Sequence, residues 1–266
     1  MTTVHRLLSV LGLFTLDRPK WTVEAAAAEL GMTASTAYRY FKGLVDAGLV
    51  VADTPRHYTL GPAIIEYDRQ MRLHDPLIAT AAPVMRQLAN TIGPDAMVLL
   101  CRLYRRRVLC VHQELIGAEA FHTHWRRGQP IIYQRGQPMP LHSGAPSKAI
   151  LAHMRARQVR PIYNDEAEAW RSAGLGDNWI AVKRTLRLLR NQRTITTYGE
   201  ISSRTHGIAV PIMVEQTRVI GSLSIILPPD RENAPVDDIG TALAEAVREI
   251  EAGLKPEAEG GSASPD

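Results

Sequence analysis

The sequence predicts an α+β chain with a small helical part at the N-terminus, a helical connection, and a larger part in which strands and helices mix. Three observations carry that prediction. Residues 22–61 read as two short helices, a tight turn and two β-prone runs; residues 62–92 read as helix; and from residue 95 onward strand-like and helix-like stretches alternate. At 266 residues there is room for two units that each bury a core.

Val4, Leu7, Leu8, Leu11 and Phe14 recur at helical spacing, which predicts a first helix over 3–15 with that stripe turned inward, broken by Asp17-Arg18-Pro19-Lys20. The next helix, over 23–30, is rich in alanine, the best helix former, and Gly31 supplies the left-handed residue that ends it. Thr33 stands at the N-cap of a helix predicted over 34–47, and Gly48 closes it. Ala37, Phe41 and Leu44 share the face that can pack on the preceding helix, which leaves Ser35, Tyr38, Arg39 and Lys42 on the opposite side. Two helices joined by so short a turn form a helix-turn-helix, whose second helix can lie in the major groove of DNA. Residues 49–51 and 56–60, around Pro55, make a β-wing, and Arg56 and His57 at the start of its second run can reach a phosphate.

Pro62 can open a linker helix over 63–73 that stops near Asp75-Pro76, and a further helix over 77–92 is punctuated by Pro83 and closed by Gly93-Pro94. This sets the expected division: a DNA-binding domain over 1–61, a linker helix over 62–75 and a second domain over 76–254. Strands over 96–103 and 108–116 flank a polar hairpin tip, Tyr104-Arg105-Arg106-Arg107, and 121–125 is a third strand candidate. Arg-Gly-Gln-Pro occurs at 127–130 and again at 135–138, two turns around Ile131-Ile132-Tyr133 that are too short to signal a solenoid. Helices over 147–154, 178–191 and 235–252 and strands over 208–214 and 219–227 complete the expected mixed sheet with helices. Residues 255–266, rich in Gly, Ser, Glu and Pro, are expected to be disordered.

Composition narrows the function classes. Hydrophobic residues at 45% and charged residues at 22% are ordinary for a soluble globular protein, no apolar run reaches a membrane span, and the first residues lack a signal-peptide layout, so a cytoplasmic protein without a membrane partner is expected. Cys101 and Cys110 have no Cys or His motif around them, which points to buried strand thiols in a reduced compartment. The net charge of +4 permits a nucleic-acid partner, but residues 1–61 hold six Lys/Arg against five acids, so DNA binding must come from placement and dimerisation. Basic clusters at 102–107, 126–127, 155–160 and 183–193 read as solvated faces, with capture of an anionic ligand by one of them as the alternative.

His122 and His124, at i and i+2, would share one face of a strand and could hold zinc if His142 or Cys110 supplied a third ligand; packing is the commoner role of such a pair. The sequence contains no G-x-S-x-G, S-x-x-K, H-E-x-x-H or G-x-G-x-x-G and no G-K-[ST] phosphate loop. Neither an enzyme nor a cofactor is expected.

Residues 4–14, Gly31-Met32-Thr33-Ala34-Ser35-Thr36-Ala37-Tyr38-Arg39-Tyr40-Phe41, Leu44-Val45-Asp46-Ala47-Gly48-Leu49-Val50 and Tyr58-Thr59-Leu60-Gly61 resemble the N-terminal domain of IclR-type bacterial transcriptional regulators. His142-Ser143-Gly144-Ala145-Pro146-Ser147-Lys148-Ala149-Ile150-Leu151-Ala152 and Gly207-Ile208-Ala209-Val210-Pro211-Ile212 resemble two stretches of that family's effector domain. The resemblance implies a winged helix-turn-helix domain, a sensor domain similar to small-molecule-binding GAF domains, helices over 62–92 that contribute to a dimer, a dimer of dimers, and a small organic or aromatic acid as effector. On double-stranded operator DNA it puts Ser35, Thr36, Tyr38 and Arg39 nearest bases or backbone and Lys42 on phosphate. For the effector it implies Ser143, Gly144, Ala145 and Pro146, and points to Glu200, Gly207 and Ser224. Open N–H groups and the helix dipole at such a loop-to-helix junction suit a carboxylate, although Pro146 removes one N–H and Ser147 stands where the family often has glycine. Ser224 shares a strand face with Ser222 and Ile226. The alternative, from another class, is a metabolite-binding or metal-dependent protein whose helix-turn-helix serves protein contacts.

Overall fold

In the computed structural model, residues 2–94, 96–116, 133–201, 205–228, 231 and 235–254 are described. The chain divides into two compact units, Met1–Asp75 and Pro76–Asp266.

The first unit runs α1 (Thr3–Leu11), α2 (Val23–Glu29), α3 (Ala34–Asp46), β1 (Val50–Ala52), β2 (Tyr58–Leu60) and α4 (Ala63–His74). Helix α1 is shorter than the expected 3–15, because the chain turns at Gly12. The apolar stripe is also only partly inward: Leu7, Leu11 and Phe14 pack against the core, Val4 and Leu8 are 65% and 56% exposed, and the one residue of the helix that is fully buried, Val10, lies outside the stripe. Phe14 reaches the core from beyond the helix end and meets Phe41 edge-on, ring centroids 6.4 Å apart. Around Phe41 gather Val10, Trp21, Val23, Ala26, Ala37 and Leu44. Strands β1 and β2 pair antiparallel, Val50 opposite Leu60, and Trp21 adds a bridge to Tyr58 with N–H···O distances of 3.0 and 2.8 Å. The wing closes on the end of α3 at Gly61, where a Cβ would lie 2.2 Å from the Gly48 carbonyl oxygen. Only glycine allows that approach.

The second unit runs α5 (Pro76–Ile92), β3 (Met97–Tyr104), β4 (Arg107–Leu115), β5 (Pro138–Pro140), α6 (Ala145–His153), α7 (Ala156–Ser172), α8 (Trp179–Arg190), β6 (Ile195–Tyr198), β7 (His206–Val214), β8 (Arg218–Leu227) and α9 (Val236–Gly253). Its sheet has the order β5-β4-β3-β8-β7-β6, and every neighbouring pair is antiparallel. The sequence expectation is a mixed sheet; the sheet is antiparallel throughout, imposed by tight turns at β3–β4 and β7–β8 and by the long-range pairing of β3 with β8 and of β4 with β5.

Side chains alternate across this sheet. Val98, Leu100, Ile208, Leu223 and Ile225 pack with α5 and α9 on one face, whereas Met97, Leu99, Cys101, Cys110 and Ile226 pack with α6, α7 and α8 on the other. Covered on both faces, β3 and β8 read as near-continuous apolar runs. Cys101 and Cys110 are buried and directly opposite in register. The Cys110 thiol beside it and then burial hold the Cys101 thiol well above its ordinary range.

Strands β5 and β6 and helix α7 are not expected from sequence. Helix α7 hides its periodicity, since Pro161 lies inside it and Glu166 breaks the helical geometry (φ −126°). Of the two Arg-Gly-Gln-Pro turns, the second is a turn, with Gly136 at φ +84° and the Gln137 N–H donating to the Gln134 carbonyl at 3.0 Å. The first, the strand candidate over 121–125 and residues 255–266 lie outside the described residues. No helix among the described residues is long and apolar enough to cross a membrane.

Candidate DNA-binding face and ligand site

Helix α3 is started by its own N-cap. Thr33 Oγ1 accepts the Thr36 N–H at 3.3 Å and donates to Thr36 Oγ1 at 2.9 Å, which ties the Thr36 hydroxyl into the cap. Ala37, Phe41 and Leu44 are buried, and Ser35, Tyr38, Arg39 and Lys42 are exposed, as the spacing predicts; Tyr40 is buried as well. The Tyr38 hydroxyl donates to Glu24 Oε1 on α2 at 3.5 Å, and the Arg39 guanidinium lies 5.8 Å from the centre of the Tyr40 ring. Lys42 and Arg56 make no ion pair among the described residues. At the wing, His57 is exposed; its N–H donates to Thr54 Oγ1 at 3.2 Å and its Nδ1 lies 3.2 Å from the same oxygen. Lys20 pairs with Asp53 at 2.6 Å, fastening the wing to the segment before α2.

The junction before α6 differs from the expectation in one respect that matters. Its first two backbone donors are not open. The Gly144 N–H donates to Glu200 Oε2 at 2.9 Å, the Ala145 N–H to Thr197 Oγ1 at 3.0 Å, and the Ser143 hydroxyl to the Glu200 carbonyl at 3.0 Å. Lys148 completes the arrangement, its Nζ 2.5 Å from Glu200 Oε1. The chain's own carboxylate thus stands where a ligand carboxylate is expected, because a helix start buried without acceptors would be costly.

Two glycines permit this packing. Gly144 adopts φ +84°, and Gly207 lies under α6, where a Cβ would come 3.2 Å from Ala145 Cβ and 3.3 Å from Thr197 Oγ1. Pro146, expected to weaken the site by its missing N–H, contributes through its carbonyl, which accepts the Ser222 hydroxyl at 2.9 Å. Ser143, Gly144, Ala145, Pro146, Glu200 and Gly207 therefore converge, joined by Thr197, Lys148 and Ser222, which sequence reasoning missed. Lys148 and Thr197 lie within a few residues of expected positions, but nothing local marks them. Ser224 is fully buried on the same face of β8 and faces the Cys101 thiol, and the buried Ser147 hydroxyl has no hydrogen-bond partner among the described residues.

Beside this cluster burial favours the neutral forms of Tyr133 and His142. Burial first, then the nearby Glu200, pushes the Tyr133 hydroxyl up to about 12 against the opposing hydrogen bond to Thr205. Burial lowers the His142 imidazole below its usual range, opposed by Glu166, whose carboxylate is 3.7 Å away. The His142 ring neighbours Trp170 at 6.3 Å, and Tyr163 packs edge-on against Trp170 at 5.8 Å. Trp170 is fully buried and its Nε1–H has no acceptor among the described residues.

His122 and His124 lie outside the described residues. Of the groups considered as a third zinc ligand, Cys110 donates its thiol to the His112 carbonyl at 3.3 Å and His142 faces Glu166. Among the described residues no three His, Cys, Asp or Glu side chains converge on a metal-sized site.

Residues 3–54 match the IclR helix-turn-helix domain. Over 250 residues the chain is 24% identical to the Pca operon regulatory protein of Acinetobacter baylyi, covering 93% of this chain and 87% of that protein. Its fold is similar to that of an IclR family transcriptional regulator from Brucella abortus, with a TM-score of 0.74 at 23% identity over 96% of this chain and 93% of that one. It is also similar to an IclR homologue from Microbacterium hydrocarbonoxydans, solved in complex with 4-hydroxybenzoate, with a TM-score of 0.70 at 21% identity over 95% and 99% of the two chains.

Proposed function

The chain belongs to the IclR-type transcriptional regulators, and from that premise we propose that α3 reads operator DNA while a small carboxylic acid, bound at the start of α6, adjusts operator affinity. The observation that carries the DNA half is the division of α3 into a buried face and an exposed one bearing Ser35, Tyr38, Arg39 and Lys42. Ser35, Thr36, Tyr38 and Arg39 are assigned to base edges and nearby backbone, and Lys42, Arg56 and His57 to phosphates. One such helix reads few base pairs, so the working form is a homodimer on a palindromic operator in the bacterial cytoplasm, with a dimer of dimers as the larger assembly. Exposed apolar side chains support self-association: Val4 and Leu8 on α1, Ile65 and Met71 on α4.

The effector half rests on Glu200. Its carboxylate occupies the Gly144 N–H and the Lys148 ammonium, so an incoming carboxylate competes for both and releases the segment that carries Glu200. Such a ligand binds the opened and closed arrangements unequally, which is the requirement for shifting an equilibrium. The 4-hydroxybenzoate held by the Microbacterium homologue supports an aromatic acid, and the nearby Trp170, Tyr163 and His142 rings suit one.

The test is a titration of the protein onto the DNA beside its own gene, at rising salt, with and without 4-hydroxybenzoate and related acids. Affinity should fall steeply with salt, and one acid should displace the curve. Arg39→Ala should weaken operator binding about tenfold or more while self-association and acid binding persist. Equal affinity of the variant would remove Arg39 from the reading helix, and the absence of any DNA curve would favour the metabolite-binding alternative.

A further inference from the structure

A concave site lies apart from the Glu200 cluster, where the first turn of α7 meets the start of β8. The cavity measures about 260 Å³, and its wall includes His153, Arg155, Arg157, Gln158, Thr217 and Arg218. Among the described residues no acid lines it. Arg155, Arg157 and Arg218 enter no ion pair among the described residues, and the first turn of α7 contains no acid either. A fourth cation stands close by: Arg190, whose Nε donates to the Ala152 carbonyl at 2.8 Å, carries its charge beside His153.

Like charges gathered in one concavity repel, and solvated arginines ordinarily spread apart or face carboxylates. Here the fold draws them together from segments more than sixty residues apart in sequence, the α6–α7 junction and the turn before β8. The helix start adds the positive end of a dipole to the same wall, and Gln158 and Thr217 add neutral donors. Guanidinium forks are the side chains best matched to oxyanions. Pockets for drug-sized ligands begin near 300 Å³, so the space suits a compact anion.

We infer that this cavity is a binding site for a compact phosphoryl-bearing anion, separate from the carboxylate site at α6. Of the basic clusters in the sequence, 155–160 is thereby given a ligand in place of a purely solvated role.

Pyrophosphate is the probe, titrated calorimetrically into the full-length protein at low ionic strength. Saturable binding with one site per chain is expected, weakened about tenfold by Arg157→Ala and by Arg218→Ala, and unchanged by Arg248→Ala, which removes a cation elsewhere on the second unit. Circular dichroism confirms that each variant keeps the fold, since both arginines are exposed. Heat that does not saturate, or binding equal in wild type and variants, overturns the assignment. So does loss of operator binding in Arg157→Ala and Arg218→Ala without any pyrophosphate binding, which would give the patch to nucleic acid.

Discussion

Helices α3 and α6 begin in opposite ways. Helix α3 is capped by the residue before it, Thr33, whose hydroxyl satisfies the Thr36 N–H. Helix α6 follows a glycine at φ +84° and takes its acceptors from Thr197 and Glu200, more than fifty residues further along the chain. A local cap leaves the rest of the helix start to the solvent, where a stiff external partner can meet it. A remote cap of opposite charge makes the helix start a closed contact that a competing anion can open. The first arrangement suits a fixed reading surface and the second suits a switch, although both rest on the same unsatisfied N–H groups.

That comparison can be broken experimentally, and the largest effect belongs to the remote cap. Lys148→Ala should destabilise the second unit by about 3 kcal/mol, because it strips one partner from a largely buried ion pair. The cost stays near the lower end for such pairs, since the Glu200 side chain is 26% exposed and keeps the Gly144 N–H. Denaturant unfolding followed through Trp170 and Trp179 reads this unit, and a cost near zero would mean that Glu200 finds water as readily as Lys148.

Thr197→Val comes next. It keeps the side-chain shape but leaves the buried Ala145 N–H without its acceptor, for about 1–3 kcal/mol. Thr33→Ala should be the smallest, about 1 kcal/mol, because the Thr36 N–H it releases can turn to water. Its cost falls on the first unit, where Trp21 reports. A Thr33→Ala penalty larger than that of Thr197→Val would reverse the ranking and with it the contrast between the two caps.

The first unit was legible because its determinants are neighbours in sequence. Ala37, Phe41 and Leu44 recur at helical spacing, Gly31 and Gly48 mark helix ends, and Thr33 stands one residue before the helix it caps. What failed there was the depth of the α1 stripe: spacing predicts which side chains share a face, and Val4 and Leu8 share one that nothing within the first unit covers. In the second unit the hairpin strands were visible as apolar runs, whereas α7 was not, because Pro161 and the break at Glu166 interrupt its period.

By itself, then, the sequence determined the order of the elements other than β5, β6 and α7, the exposed face of α3 and most of the residues around the start of α6, all matters of local spacing and chain stiffness. Only the tertiary structure decided what those residues do to one another. It put Glu200 rather than open space against Gly144, brought in Lys148 and Thr197, made every strand pair antiparallel, and collected Arg155, Arg157 and Arg218 around one cavity. The physical reason is that burial couples groups without regard to their separation along the chain: a donor removed from water takes whichever acceptor the packing brings near it.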